Sequence, residues 1–365
     1  MLQLKWKGRR NRLGKVLMKG NEAVAEAAVL GGCRYFFGYP ITPQNEIPEY
    51  LAKRLPEVGG TFLQAESEIS AINMVFGAAG SGARVMTSSS GPGISLKQEG
   101  ISYIAGAELP CVIVNMVRGG PGLGNIGPAQ SDYFQATKGG GHGDYRLIVL
   151  GPASVQELVD LTTEAFELAD RYRNPVMILG DGILGQMMEP VEFKVKEIMS
   201  GPEKPWATTG AKGRTRNLIT SLYIVPEDLE EHCRKLKEKY DGIAAVEKRH
   251  ESYFAEDAEI VLAAYGTTAR ICKAVVDQAR EEGIRAGLIR PVSLWPFPDE
   301  PYFKAAGYAD AFLAVEMSNG QMVEDVRLSV NGKKPVHFLG RTGGIVPTKA
   351  EIYAEVKKIA AGGVR

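Results

Sequence analysis

The sequence predicts an α/β protein made of two doubly wound, mostly parallel sheets. Three observations carry that expectation. Short apolar runs alternate with helix-patterned segments from residue 20 to about residue 190. The alternation lapses over residues 190–255, where Gly, Pro, Thr and charged residues take over, and it resumes at Ala258. Strands separated by helices require right-handed crossovers, hence a parallel sheet covered on both faces. The expected division is residues 1–195, a linker with a charged helix over 196–255, and a second, smaller unit over 256–365.

Each element has a local reason. "NEAVAEAAVLGG" spaces its apolar residues for a helix, and Gly31-Gly32 stops it. "RYFFGYPI" is a short aromatic strand, "NEIPEYLAKRL" a helix and "TFLQAE" a strand. A helix over "ISAINMVFGAAG" follows, then the strand "ARVMTSSS", the helix "KQEGISYIAGAEL" and the buried strand "PCVIVNMV". After a glycine-rich loop come "YRLIVLG" (strand), "SVQELVDLTTEAFELADRYR" (helix) and "NPVMILGDG" (strand). "PEDLEEHCRKLKEKYDGIAAVEKRHESYF" reads as a solvated helix rather than as core. From "AEIVLAAYGTT" onward, strand and helix alternate again to "TKAEIYAEVKKIAA".

Composition narrows the functional classes. Lys+Arg and Asp+Glu both number 43 in 365 residues, so the formal net charge is zero. A nucleic-acid surface would need a basic excess. Zero net charge gives little protection against association, which suits a partner-bound chain. No apolar run approaches the roughly 18 residues of a membrane span. "MLQLKWKGRRNRLGK" is basic but lacks a following apolar signal core, so it reads as a surface arm. Cys33, Cys111, Cys233 and Cys272 lie far apart without a CxxC, so no zinc or iron–sulfur site is encoded locally. Reduced thiols in a cytoplasmic protein are the default.

Ligands of open parallel sheets bind at the carboxyl ends of the strands. "YPITPQNE", "QAESE", "SSSGPG" and "VRGGPGLGNIG" all fall there, which points to one site in the first unit. Arg118 ends an apolar strand, and a buried arginine needs an anionic partner, either a protein carboxylate or a substrate carboxylate held in bidentate fashion. Thr42 before Pro43 suits a helix N-cap, and a hydroxyl there could also bond a ligand; from the residues alone the cap is preferred. Gly122-x-Gly124-x-x-Gly127 matches a dinucleotide fingerprint in form, but Pro128 follows and no small-residue helix opens. "GDG" at 180–182 lacks the Asn-rich partner of a diphosphate–magnesium motif and reads as a strand ending in a turn. His142 reads as a solvated loop residue, and Glu316 and Asn319 as strand-end residues of either interface or site.

Glu66 and Glu68 pose a sharper choice. Residues two apart face opposite sides of a strand and lie about 200° apart on a helix, so both cannot face one site. Ser67 suits an N-cap, which puts Glu68 in the first helical turn, where the helix dipole favours a carboxylate.

"GYPITPQNE", "QAESEISAINMVFGAAGSG", "TSSSGPGISL" and "QSDYFQATKGGGHGDYR" together resemble the alpha subunit of 2-oxoacid:ferredoxin oxidoreductases, over nearly the whole chain. "FQATKGGGHGDYRLIVL" is most similar to the branched-chain, 2-oxoisovalerate type; 2-oxoglutarate- and pyruvate-specific members are the alternatives. The resemblance implies a thiamine diphosphate pyrimidine-binding domain, then a transketolase C-terminal-like domain. It implies oxidative decarboxylation of a 2-oxoacid with coenzyme A to an acyl-CoA, carbon dioxide and reduced ferredoxin, in anaerobic metabolism. Thiamine diphosphate would be shared with a beta subunit, with Mg2+ and the [4Fe-4S] clusters on partner subunits, among them gamma and ferredoxin-like delta chains. Carried onto this sequence, Glu68 is the cofactor-activating acid, with Gly77 in the third turn of its helix as in thiamine pyrimidine domains. Thr42 and Arg118 would bind the substrate carboxylate. Two other classes stand beside this one: a noncatalytic subunit that kept the fold, and a nucleotide-binding enzyme using Gly122–Gly127.

Overall fold

The structure, a computed structural model, describes residues 14–194 and 197–362. The basic arm lies, up to residue 13, outside the described residues, as does the point between residues 195 and 196 where a boundary is expected.

The first part of the chain runs β1 (Val16–Lys19), α1 (Gly20–Leu30), β2 (Tyr35–Gly38), α2 (Glu46–Glu57), β3 (Thr61–Gln64), α3 (Glu68–Gly80), β4 (Val85–Ser89), α4 (Pro92–Gly106), β5 (Cys111–Val117), α5 (Tyr133–Thr137), β6 (Ile148–Leu150), α6 (Val155–Tyr172), β7 (Pro175–Asp181), α7 (Gly182–Gln186) and β8 (Met188–Val191). The second runs α8 (Pro226–Val246), β9 (His250–Tyr253), β10 (Ile260–Ala263), α9 (Gly266–Glu281), β11 (Ala286–Pro291), β12 (Ser293–Trp295), α10 (Asp299–Ala305), β13 (Ala311–Glu316), α11 (Met322–Val330), β14 (Val336–Gly340) and α12 (Lys349–Ala360).

Three sheets result. The largest has the order β12-β6-β7-β5-β4-β2-β3 and is parallel except at β12. The second has the order β14-β13-β10-β11-β9, parallel except at β9. β1 and β8 form a separate antiparallel pair. The central strands β4, β5 and β7 are buried along their whole length, as a parallel sheet covered on both faces requires. Helix ends follow local chemistry: Ser154 caps α6 by accepting from Glu157 N at 3.1 Å, and Thr348 with Glu351 makes a capping box at α12.

Two features were not legible locally. β12 leaves the second sheet's sequence and pairs antiparallel with β6 of the first, so the two sheets are tied through the backbone. α8, read from its charges as solvated, buries Leu236, Tyr240 and Ile243 against the core under the first sheet. The other face of that sheet shares one apolar core with the second, from Ile113 and Met177 through Tyr265 to Phe312. Gln130 stitches the seam: its N donates to Met317 O at 2.8 Å, and its Nε2 to Tyr265 O at 2.9 Å.

Candidate active site

β2 pairs with β3 on one side and β4 on the other, so the chain order reverses at β2. Such a switch point opens a crevice at the carboxyl ends of the strands. The segments after β2, β3, β4 and β5 converge there, the same four that hold Thr42, Glu68, Gly91 and Arg118.

Glu68 is the first residue of α3, and Ser67, in extended conformation, caps that helix by accepting from Ser70 N at 3.2 Å. The carboxylate therefore sits at the positive end of the helix, where it is favoured. Glu68 is only 7% exposed, yet among the described residues it accepts no hydrogen bond. Glu66 faces solvent. A Cβ added at Gly93 would stand 2.7 Å from Glu68 Oε1 and 2.2 Å from Ser89 Oγ, so glycine there opens the floor under the carboxylate.

Arg118 follows the fully buried β5 and is itself buried. Its Nη1 donates to Thr42 O and its Nη2 to Leu123 O, each at 3.0 Å. Its Nε is buried without a partner. No described carboxylate forms an ion pair with Arg118, so the protein-carboxylate partner weighed from sequence is not present among the described residues. Asp132 lies within reach of its charge: burial pushes the Asp132 carboxyl up, against the Asn115 hydrogen bond and the Arg118 charge.

Thr42 departs from its expected role as a cap. α2 begins at Glu46, not at Pro43, because the residues between form a turn closed by Gln44 N donating to Ile41 O at 3.1 Å. The Thr42 hydroxyl accepts from Asn45 Nδ2 at 3.3 Å, and the residue is exposed, while its backbone O accepts from Arg118. Thr42 and Arg118 are thus in direct contact. The start of α4 separates them from Glu68: Gly91 abuts Arg118, with its Cβ position 3.2 Å from Nε, while Gly93 abuts Glu68.

Several residues of the site carry no signal in the sequence beyond the run "TSSSGPG". Gln44 is fully buried and accepts from Ser88 Oγ, while its Nε2 has no partner. Ser89 Oγ and Asn115 Oδ1 are likewise buried and unpartnered. Such orphaned polar atoms are uncommon in a folded protein. Here four of them, counting Arg118 Nε, gather at the ends of β2, β4 and β5. Lys97, on α4, is wholly buried beside them.

The remaining candidates resolve structurally. Gly119–Gly127 folds on itself, with Asn125 N donating to Gly119 O at 2.9 Å and Gly119 N to Gly127 O at 2.8 Å, and no helix opens after it. Asp181 of "GDG" caps α7, accepting from Ile183 N at 2.9 Å and Leu184 N at 3.1 Å. His142 and Asn319 are exposed, and Glu316 caps α11. No group of three or more described His, Cys, Asp or Glu is placed to hold a metal ion. No helix among the described residues is long and apolar enough to cross a membrane.

A buried, open carboxylate thus lies at a switch point, across the start of α4 from an arginine with a spare donor. Residues 26–253 match the family model described as pyruvate flavodoxin/ferredoxin oxidoreductase, thiamine diphosphate-binding. Residues 258–352 match pyruvate:ferredoxin oxidoreductase core domain II. The chain belongs to this 2-oxoacid:ferredoxin oxidoreductase family. It is 52% identical to the ketoisovalerate oxidoreductase subunit VorB of Methanothermobacter marburgensis, over 94% of this chain and 97% of that one. It is 40% identical to the 2-oxoglutarate synthase subunit KorA of Methanothermobacter thermautotrophicus, over 94% and 98% respectively. The 2-oxoglutarate:ferredoxin oxidoreductase of Magnetococcus marinus, solved with 2-oxoglutarate, coenzyme A and succinyl-CoA, superposes with a TM-score of 0.83 at 29% identity. That match covers 94% of this chain and 65% of that longer chain.

Proposed function

We propose that the chain is the alpha subunit of a thiamine diphosphate-dependent 2-oxoacid:ferredoxin oxidoreductase acting on branched-chain 2-oxoacids, 2-oxoisovalerate foremost. The complex converts the 2-oxoacid and coenzyme A into an acyl-CoA and carbon dioxide, and ferredoxin takes the electrons. The observation that carries this reading is the buried Glu68 carboxylate, without a hydrogen-bond partner among the described residues, one glycine turn away from the spare donor of Arg118.

Thiamine diphosphate, when bound, supplies the nucleophilic carbon and the electron sink that decarboxylation needs. The orphaned polar atoms fit the edge of its pyrimidine ring. This chain's residues do the rest. Glu68 would face the ring and hold the exchangeable proton at its carboxylate oxygens. Arg118 Nε and the Thr42 hydroxyl bind the substrate carboxylate, orienting the bond to be broken. The apolar strands behind them exclude water.

The branched-chain preference is supported by the loop that Arg118 holds through Leu123 O, which presents the apolar, exposed Leu123 and Ile126. The diphosphate, Mg2+ and [4Fe-4S] clusters belong on beta and ferredoxin-like delta partners, with a gamma chain completing the complex. In keeping with that, burial pushes the Cys33 and Cys111 thiols up to about 12, which suits packing rather than cluster ligation. Ferredoxin as acceptor implies a cytoplasmic complex.

The test is a panel of 2-oxoacids given to the complex reconstituted from this chain and its partners. The expected kcat/KM for 2-oxoisovalerate exceeds that for 2-oxoglutarate by about tenfold or more. Faster turnover of 2-oxoglutarate contradicts the branched-chain assignment.

A further inference from the structure

Lys97 is among the largest side chains buried completely. A buried ammonium ordinarily has an ion-pair partner or a full set of hydrogen bonds. Lys97 has one hydrogen bond, from Nζ to Thr87 Oγ1 at 3.1 Å, and no ion pair among the described residues. The Thr87 hydroxyl donates its own proton to Phe37 O at 2.7 Å, so its lone pairs are aimed at the lysine. The ammonium is therefore held in place but left largely uncompensated.

Its surroundings point in one direction. Lys97 stands one helical turn after Gly93 on α4, hence on the same face as the glycine that abuts the Glu68 carboxylate. The strands beside it, β2, β4 and β5, carry no Asp, Glu, Lys, Arg or His, and the one charged residue of β7, Asp181, is engaged in capping α7. On α3 the one charged residue is Glu68, and on α4 the other is Glu99, which is exposed. Glu66 faces solvent, and Arg118 lies on the far side of Gly91. Glu68 is thus the charge that Lys97 addresses.

We propose that Lys97 is a positioning residue for the reaction: its buried ammonium, fixed on Thr87 behind Gly93, supplies the field that lets the Glu68 carboxyl release and recover the proton it exchanges with the cofactor. The proposal rests on the reading of Glu68 as the proton-exchanging acid. A charge fixed in place by packing needs no reorganisation when a proton moves beside it. Burial lowers the Lys97 ammonium to about 8, against the opposing field of Glu68, so the charge is present at neutral pH and is lost just above it.

The test uses the reconstituted complex with Lys97→Met, which conserves volume without the charge. Thr87→Val, which removes the one acceptor, serves as a second variant. In single-turnover decarboxylation, the wild-type rate is expected to fall as pH rises through about 8. Lys97→Met is expected to lower the rate at pH 7 about tenfold and to abolish that fall. Thr87→Val is expected to move the fall to lower pH. A structural readout is independent of turnover: Glu68→Gln should change Tm differently in the wild-type and Lys97→Met backgrounds, because it strips the cation of its counter-charge only where the cation exists. An unchanged pH profile in both variants, or additive Tm changes, overturns the proposal. Normal turnover of Glu68→Gln overturns the Glu68 reading itself. The Tm cycle then still reports whether the two side chains interact, so the two failures are told apart.

Discussion

Glu68 and Glu316 are the same group in nearly the same setting, and they behave differently. Both are buried carboxylates beside the carboxyl end of a parallel strand and the start of a helix. Glu316, at the end of β13, is saturated: it accepts from Ser318 Oγ at 2.8 Å, Gln321 N at 3.1 Å, Met322 N at 3.0 Å and Val323 N at 2.9 Å. Glu68 accepts nothing from the described residues and instead has a glycine floor, an unpartnered serine hydroxyl and a buried lysine around it. A carboxylate whose lone pairs are filled by the backbone organises the fold. One that is buried and left open is available for chemistry. Burial with unfilled hydrogen-bonding capacity, rather than burial alone, separates the site from the scaffold.

The comparison breaks if the two glutamates respond alike. The largest effect is expected at Glu68. Glu68→Gln should slow decarboxylation in the reconstituted complex by roughly 10³-fold, with assembly intact, as stopped-assay carbon dioxide release and size-exclusion chromatography will report. Arg118→Ala should raise KM for 2-oxoacids about 10- to 100-fold, the loss of one or more charge-assisted hydrogen bonds, in steady-state kinetics. An unchanged KM would remove Arg118 from the substrate site. Gly93→Ala should lower kcat about tenfold with KM nearly unchanged. The new methyl would displace the Glu68 carboxylate, since its position lies 2.7 Å from Oε1.

Glu316→Gln should leave turnover intact and cost about 1–3 kcal/mol of stability in thermal or denaturant unfolding. Its pH dependence sharpens the contrast. Burial pushes the Glu316 carboxyl up, opposed by the hydrogen bonds from Val323, Ser318, Gln321 and Met322. The folded chain therefore binds this proton more tightly than the unfolded chain. The stability linked to it is present below the ordinary glutamate range and is lost as pH rises through the raised value. The Tm advantage of wild type over Glu316→Gln should accordingly shrink as pH rises above the ordinary glutamate range.

Much of the candidate site's placement could be read from the chain because its signals are local. Ser67 before Glu68 announces the start of α3, and an apolar strand ending in Arg118 announces a buried guanidinium at a strand end. Convergence of the four strand-end segments follows from α/β topology. What escaped local reading depends on residues distant in sequence. The turn that delays α2 to Glu46 is held against Arg118, and β12 finds its partner in β6. Lys97 looks like any helical surface lysine until α3 and β4 close around it. Glu316 stays open between interface and site in the sequence because its saturation by Met322 N and Val323 N appears only once α11 is folded.

The central claim is that the open carboxylate and its neighbours form half of a cofactor site that a partner completes. Titration calorimetry of thiamine diphosphate with Mg2+ into the isolated chain, and into the chain mixed with its beta partner, tests it most directly. The expected result is tight binding in the mixture alone, weakened by Glu68→Gln. Equally tight binding by the isolated chain, indifferent to Glu68→Gln, would contradict it.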